Sequence, residues 1–268
     1  MRKTLVQTQA ETPAISIWKL MFFLFLFYIF LISGCQAMNA ETHNAQGVTY
    51  LEQKKYDLAL AEFEGARLQM PEAPNAYYNI GSTYHKIGLE TKDPKMYSMA
   101  EQYYNICLTK DANHVNCHRG LAVLMVETAR TDNAIALLKS WESQRPNDAN
   151  PKIEIARLHQ ELGHNDEASQ YLTAAIATDP GNIRACNALG MLRETAGDNE
   201  QALSLYKTSI AKNPDQADIS SRIAAIEYRA IVDPTTRMAG NSPVMLVPDV
   251  EPNSPVQTAS RDPGGPRF

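Results

Sequence analysis

The stretch NALGMLRETAGDNEQALSLYKTSIAKNPD, residues 187–215, contains the pattern that decides the fold of this chain. It holds two helix-like segments, with Gly190 in the first, Ala202 and Tyr206 in the second, and Pro214 directly after the second. Residues four apart lie on one face of a helix, so a small residue stands beside a ring. Proline ends a helix because it lacks an amide donor. The stretch therefore predicts two helices that pack closely at the glycine.

The same pattern recurs along the chain at a nearly constant spacing. Its alanines are separated by 41, 34, 34 and 34 residues and are Ala59, Ala100, Ala134, Ala168 and Ala202. Twelve residues after each alanine stands a proline, or in one case another alanine: Pro71, Ala112, Pro146, Pro180 and Pro214. A period of about 20 to 50 residues is typical of proteins built from stacked copies of one unit.

These segments resemble the tetratricopeptide repeat, whose W-x2-L-G-x2-Y…A-x3-F…P pattern they follow. Small residues stand where the two helices of each unit cross, namely Gly47, Gly81, Ala122, Ala156 and Gly190. The resemblance covers about two thirds of the chain and implies an all-α, right-handed α-solenoid of about five helix pairs. The predicted repeats are residues 40–73, 74–114, 115–148, 149–182 and 183–216.

The second repeat carries seven additional residues within GLETKDPKMYSMA, residues 88–100. Seven residues are close to two helical turns, so the insertion lengthens helices without changing their phase. Asp93 and Pro94 are typical of a helix cap and a first helical residue. Asp198 and Gln201 likewise predict a capping box for the last helix of the fifth repeat.

Beyond the repeats, residues 217–231 place apolar side chains on one helical face: Ile219, Ile223, Ile226 and Ala230. Such an amphipathic helix is what the open end of a solenoid needs as a cap. The remaining residues, 232–268, are rich in proline and have no helical or strand period. We expect this tail to be disordered, because it can bury too little apolar surface.

The N-terminus has the pattern of an export signal. Basic residues precede thirteen mostly apolar residues, 20–32, and a membrane-spanning helix would need about 20. Ile32-Ser33-Gly34-Cys35 then resembles the lipobox of bacterial lipoproteins. The resemblance implies that residues 1–34 are a cleaved signal peptide, that lipid is attached to Cys35, and that residues 35–39 link the anchor to the repeats. The alternative is an uncleaved anchor in which the cysteine is a bystander.

Composition and motifs exclude several classes of function. A net charge of −5 without a basic stripe argues against nucleic-acid binding, which needs clustered Lys and Arg. The sequence contains no glycine-rich phosphate loop and no recognisable nucleophile motif. We therefore expect a protein that is not an enzyme, with no cofactor and no small-molecule substrate.

Four residues near the second junction between repeats could converge on a metal ion: Cys107, His114, Cys117 and His118. We expect no metal here, because Cys107 falls where small packed residues are needed and the others open the next helix. A disulfide between Cys107 and Cys117 is an alternative that requires Cα atoms within about 7 Å. Cys186 is interpreted as a small core residue by the same reasoning.

The resemblance implies a concave groove lined by the first helix of each pair. The residues expected there are Val48, Leu51, Tyr78, Ser82, His85, Lys86, Arg119, Val123, Val126, Ile153, Arg157, Arg184, Asn187 and Met191. Arginine forks can hold carboxylates and an exposed ring can anchor a partner, so an acidic and apolar peptide or helix would fit. The alternative is that these residues are only the solvated faces of amphipathic helices.

A lipid-anchored repeat protein without catalysis is similar to the tetratricopeptide lipoproteins that assist pilus or secretion machines, such as TadD-like proteins and secretin pilotins. That resemblance implies a periplasm-facing scaffold, at the outer membrane rather than the inner, since Gln36 and not aspartate follows the cysteine. Its partners would be envelope proteins such as a secretin or pilus components. The alternative is an adaptor that recruits cell-wall enzymes, with residues 244–247 as a strand-forming segment.

Overall fold

The computed structural model describes Met21 and residues 39–232. Within these residues every regular element is an α-helix, so the predicted all-α solenoid fold is confirmed. None of the described helices has both the length and the apolar character needed to span a membrane. The predictions for the signal peptide, Cys35, the tail beyond residue 232 and its segment 244–247 lie outside the described residues.

The described helices follow one another in pairs, and the two helices of each pair contact each other along their length. Their bounds are α1, residues 39–52; α2, Tyr56–Gln69; α3, Pro74–Thr91; α4, Pro94–Lys110; α5, Val115–Glu127; α6, Thr131–Gln144; α7, Ala149–Glu161; α8, Asn165–Thr178; α9, Ile183–Thr195; α10, Asn199–Lys212; and α11, Ala217–Val232.

The crossing point within a pair needs a small residue, and it is glycine where a ring of the other helix lies against it. A Cβ atom at Gly190 would lie 2.5 Å from the Tyr206 ring, closer than any real contact, and Gly47 faces Phe63 in the same way. Ala202, one turn before that tyrosine, is fully buried. The pairing of a small residue with a ring, predicted from the sequence, therefore sets how closely the two helices approach.

The turn within each pair passes through the left-handed region. Gly163 and Gly197 have φ of 80° and 82°, where glycine meets no steric penalty. At the equivalent places of the other pairs Lys54, Lys92 and Ala129 have φ of 57° to 59°. The sequence marked only two of the five turns with glycine, yet each turn contains one residue with a left-handed torsion.

The seven additional residues of the second repeat lengthen both of its helices, as predicted: α3 has 18 residues and α4 has 17, against 13 or 14 in the later pairs. Asp93 caps α4 by accepting from the Lys95 amide at 2.8 Å, and proline follows it. Glu90, at the end of α3, accepts from Tyr56 Oη at 2.7 Å and pairs with Lys54 at 3.1 Å. The extension is therefore tied to the preceding pair.

Only half of the predicted capping box forms at α10. Asp198 accepts from the Gln201 amide at 3.1 Å. The Asp198 amide, however, donates to the main-chain oxygen of Arg193 at 2.9 Å. The tight turn through Gly197 uses that amide to end α9, so a reciprocal bond from the Gln201 side chain is not needed.

The turns between consecutive pairs share one hydrogen bond. In each, a side chain in the first turn of the next helix reaches the main-chain carbonyl of the residue six positions earlier. The pairs are Tyr77 Oη with Pro71 (2.8 Å), His118 Nε2 with Ala112 (2.9 Å), Lys152 Nζ with Pro146 (2.6 Å) and Cys186 Sγ with Pro180 (4.0 Å). Different donors thus satisfy the carbonyl of the second residue after the preceding helix, which lies in the turn.

The chain divides into two compact units, Met1–Ser220 and Ser221–Phe268. Helix α11 begins in the first unit, where Ile219 is buried. In the second unit Ile226 is buried and Ala230 is exposed, so the buried face of α11 is shorter than the sequence predicted. The capping role of this helix stays a prediction.

Candidate functional site

The first helices of consecutive pairs contact one another from α3 to α5 and from α5 to α7, which gives them one shared face. A small, shallow cleft, open to solvent, lies between α5 and α7 on these helices. Its floor is apolar and its rim is charged, and its lining residues are Arg119, Ala122, Val123, Leu138, Glu154, Arg157, Leu158 and Glu161. Three of the residues expected in the groove, Arg119, Val123 and Arg157, therefore meet at one cleft.

Glu154 is the centre of the charged rim, and its side chain is only 1% exposed. Arg119 on α5 donates from Nε and Nη2 to the two carboxylate oxygens, at 2.8 and 2.7 Å. Arg184 on α9 donates from Nη2 to the same carboxylate. The Arg119 fork, which we expected to hold a partner's carboxylate, therefore holds one from its own chain, and the three residues join α5, α7 and α9.

The electrostatics of this triad keep the glutamate charged. Burial disfavours the carboxylate, but the two guanidinium groups outweigh that cost and hold the pKa of Glu154 below its usual range. Two positive charges then share one negative charge. The triad leaves the rim with a surplus of positive charge, which favours a negatively charged group on a partner.

Glu161, one helical turn from Arg157, behaves in the opposite way. Its carboxylate lies 3.4 Å from Arg157 Nε, but burial raises the pKa of Glu161 to about 7. Nearby Glu154 acts in the same direction, because two negative charges repel each other. The cleft therefore contains one carboxyl group whose pKa is lowered and one that changes its charge near neutral pH.

Three of the residues expected in the groove offer little or no surface, since His85, Val123 and Ile153 are buried. His85 hydrogen-bonds Glu127 Oε2 at 2.6 Å and the Tyr104 hydroxyl at 3.3 Å. First helices of neighbouring pairs press against each other, so a side chain that points away from its own pair can still be covered by the next one.

The remaining expected residues keep some contact with solvent. Val48, Arg184 and Met191 are exposed, and the others are half-buried: Leu51, Tyr78, Ser82, Lys86, Arg119, Val126, Arg157 and Asn187. Burial raises the pKa of Tyr78, whose ring centre lies 6.1 Å from that of Tyr104. That these residues bind a partner stays a prediction.

Sequence reasoning missed both acidic residues of the cleft. It treated Arg119 and Arg184 as free cations, because each lies 30 or more residues from Glu154 along the chain. The available signal was an acidic residue beside Ile153 on a predicted first helix. Stacking of repeats about 34 residues long brings such a residue close to Arg119, 35 residues before it, and to Arg184, 30 residues after it.

The cysteine and histidine cluster separates into two parts. Cys107 and Cys117 form a disulfide with a Cα–Cα distance of 6.4 Å, so the alternative of a disulfide is what the structure contains. His118 turns away to the Ala112 carbonyl, and its ring stacks on Trp141 at 4.0 Å between centres. Cys186 is free and buried, as predicted for a core residue.

The fold and cleft define a helix-pair repeat protein whose first helices share one face, and comparison with known sequences assigns its family. Sequence profiles of the tetratricopeptide repeat match residues 44–94, 130–193 and 185–218, together just over half of the chain. The chain therefore belongs to the tetratricopeptide-repeat family, whose members serve as scaffolds for interactions between proteins.

Individual relatives are distant. The chain is 23% identical over 223 residues to the mouse Superkiller complex protein 3, covering 70% of this chain and 14% of that protein. It spans less than a quarter of the length of the curated relatives it matches. TTC0263, a thermophilic tetratricopeptide-repeat protein of Thermus thermophilus, has 22% identity and a TM-score of 0.51, covering 70% of this chain and 99% of that one, which supports the fold alone. PilF of Pseudomonas aeruginosa, with 10% identity, a TM-score of 0.45 and coverage of 76% and 97%, is too distant to bear on function.

Proposed function

We propose that this protein is a lipid-anchored, non-enzymatic scaffold that binds a segment of an envelope protein in its concave groove. The machine it serves is a pilus or a secretion system, and the partner is a secretin or a pilus component. The protein is held at the periplasmic face of a bacterial membrane, the outer rather than the inner, by lipid on Cys35.

The cleft between α5 and α7 is the observation that carries the binding role. Its apolar floor suits an apolar side chain of the partner, and the positive surplus around Glu154 suits a neighbouring carboxylate. The partner is therefore recognised as an acidic and apolar segment.

Two observations support a location in the cell envelope. Ile32-Ser33-Gly34-Cys35 has the form of a lipobox after an apolar run of export-signal length. The Cys107–Cys117 disulfide is of the kind that persists in oxidising compartments and is rare in a reducing cytosol. Residue 39 already belongs to α1, so at about 3.5 Å per residue the repeats begin within about 15 Å of a lipid on Cys35.

Site-specific photo-crosslinking in the native host tests the groove. A photoreactive residue at Met191, which is 38% exposed on α9, samples the concave surface, and one at Leu68, which is 69% exposed on α2, serves as the matched control. We expect a secretin or a pilus subunit to be captured from Met191 and not from Leu68. Equal capture from both places would contradict the assembly role. Capture of cell-wall enzymes from Met191 would also contradict it and would favour the adaptor.

The anchor is tested separately by Cys35→Ser. Without the sulfur no lipid can be attached, so the variant should fractionate with soluble proteins while its circular dichroism matches that of the wild type. Persistent membrane association of the variant would disprove the lipid anchor and favour an uncleaved apolar segment.

A further inference from the structure

Cys107, His114 and Cys117 meet at the turn between α4 and α5. Both cysteines are fully buried, and one ring nitrogen of the histidine and the two sulfurs all lie within 4.8 Å of one another. His114 is only half-buried. The cluster therefore has a dry side formed by sulfur and a second side, formed by the ring, that is open to solvent.

The hydrogen bonds of His114 show which ring nitrogen carries the proton. Nδ1 accepts from the Cys117 amide at 3.2 Å, so the proton is on Nε2, which donates to Asn75 Oδ1 at 2.9 Å. Metal-binding histidines usually donate their second N–H to a neighbouring oxygen in this way. The ring is thus in the tautomer that a metal ion on Nδ1 requires.

Packing and capping do not account for this set of residues. At the equivalent junction 68 residues later, the same places hold Ala175, Asn182 and Ala185. Asn182 caps α9 by accepting from the Ala185 amide at 3.1 Å, which is the role of His114 in α5. A junction of the same backbone therefore forms without sulfur and without an imidazole.

We propose that the reduced form of this cluster is a zinc site in which Cys107 Sγ, Cys117 Sγ and His114 Nδ1 bind one Zn²⁺. Zinc binds thiolate at about 2.3 Å and imidazole at about 2.0 Å, and three protein ligands leave a fourth, tetrahedral position for water on the solvent side. Two thiolates neutralise the ion, so little charge is buried. This inference is independent of the anchor and of the groove.

The change between the two forms balances in electrons and protons. A dithiol transfers two electrons and two protons to the Cys107–Cys117 bond and itself becomes a disulfide, which leaves two protein thiols. Zn²⁺ then displaces two protons from these thiols, and His114 Nδ1 turns its lone pair from the Cys117 amide to the ion. The disulfide and the zinc site use the same sulfurs, so they exclude each other.

Metal analysis of the full chain in detergent tests the site. The protein is reduced with a phosphine, equilibrated with Zn²⁺ and measured by mass spectrometry of the metal content. A chelator competition gives the affinity, and Co²⁺ is used to detect thiolate charge-transfer absorption. His114→Asn is the critical variant, because Asn182 shows that asparagine preserves the cap. Cys186→Ala is the matched control, since that thiol lies outside the cluster.

We expect one zinc per chain in the reduced wild type and in Cys186→Ala, and less than a tenth of that in the oxidised protein. His114→Asn should bind at least about tenfold more weakly with an unchanged helical spectrum. The proposal is overturned if the reduced wild type binds no more zinc than Cys107→Ala/Cys117→Ala. It is equally overturned if His114→Asn binds as tightly as the wild type.

Discussion

Two junctions between helix pairs, α4–α5 and α8–α9, have the same geometry and different chemistry. The first has Cys107, Ala112, His114 and Cys117 where the second has Ala175, Pro180, Asn182 and Ala185. Main-chain torsions before the turn agree closely, with φ −141° and ψ 102° at Asp111 and φ −138° and ψ 91° at Asp179. The comparison teaches that the repeat requires small buried residues and a capping side chain at this junction. Which residue types fill these places can vary from one junction to another.

The repeats around these junctions are also held together by different forces. A covalent bond joins α4 to α5, whereas Glu154 with its two arginines joins α7 to α5 and α9. A solenoid contacts only its neighbouring units, so each junction contributes separately to stability. The stability of the α4–α5 junction should therefore depend on reductant. The stability of the contacts of α7 with α5 and α9 should depend on the charges of the triad.

The largest effect is expected for Glu154→Ala. Removal of the shared acceptor leaves two arginines without their buried partner, which typically costs 3 kcal/mol or more. Because their side chains are 22% and 40% exposed and can turn to water, we expect about 3 kcal/mol. Urea denaturation measures the loss. The matched control is Glu101→Ala: this carboxylate is 29% exposed and forms an ion pair with Arg130, so its loss should cost about 1 kcal/mol. Equal losses would refute a special role for the triad.

The next largest effect should come from Cys107→Ala/Cys117→Ala, which gives α4–α5 the alanines of α8–α9. The disulfide closes a loop of ten residues and so lowers the conformational entropy of the unfolded chain. Its removal should lower the unfolding free energy by about 2 to 3 kcal/mol. The wild type should lose the same amount on reduction in metal-free buffer. Sensitivity to reductant should vanish in the double variant and persist in Cys186→Ala, and any other outcome would show that the bond does not hold the junction.

A smaller gain is expected from Ala112→Pro, which copies Pro180. Asp111 already has the extended torsions that proline demands of the residue before it. Proline also restricts the unfolded chain, so we expect a gain of about 0.4 to 1 kcal/mol in unfolding free energy. Pro180→Ala is the reverse control and should lose a similar amount. A loss of stability in Ala112→Pro would mean that the two turns differ in a way their torsions do not reveal.

A last effect depends on pH and belongs to the ionic side of the comparison. The pKa of Glu161 is about 7 in the folded protein and above its usual 4.5, so folding binds a proton between these values. Its contribution to stability is therefore complete below pH 4.5 and is lost as pH rises through 7. The melting temperature of the wild type should fall from about pH 5 to about pH 8 by more than that of Glu161→Gln. If both proteins show the same fall, Glu161 is not the titrating group.

Most of the helical architecture could be predicted because its causes are local. Gly190 and Tyr206 lie in one repeat, and Asp93 caps a helix that begins at the next residue. The path of the turns was less visible, since Ala129 adopts a left-handed torsion that only the glycines at equivalent places suggest. The capping box at Asp198 was half wrong because the preceding turn already uses the amide.

The candidate site could be predicted only in part, because its contacts cross from one repeat to another. The sequence indicated which face Arg119 and Arg184 occupy, but not that Glu154 lies between them. The sequence grouped His118 with the cysteines. In the structure His118, one residue after Cys117, faces another direction and stacks on Trp141. Proximity in sequence is a poor guide to contact once helices rotate successive side chains to different faces.

The sequence by itself determined the repeat, the order of the helices and the prolines that follow the second helix of most pairs. These depend on hydrogen bonds and steric contacts within a few residues, such as the cap at Asp93 and the close approach at Gly190. Only the tertiary structure decided that the Arg119 fork is occupied by Glu154 and that Cys107 is bonded to Cys117. Each of these contacts depends on how helices from different pairs are placed beside one another, and that placement is set by the packing of whole helices.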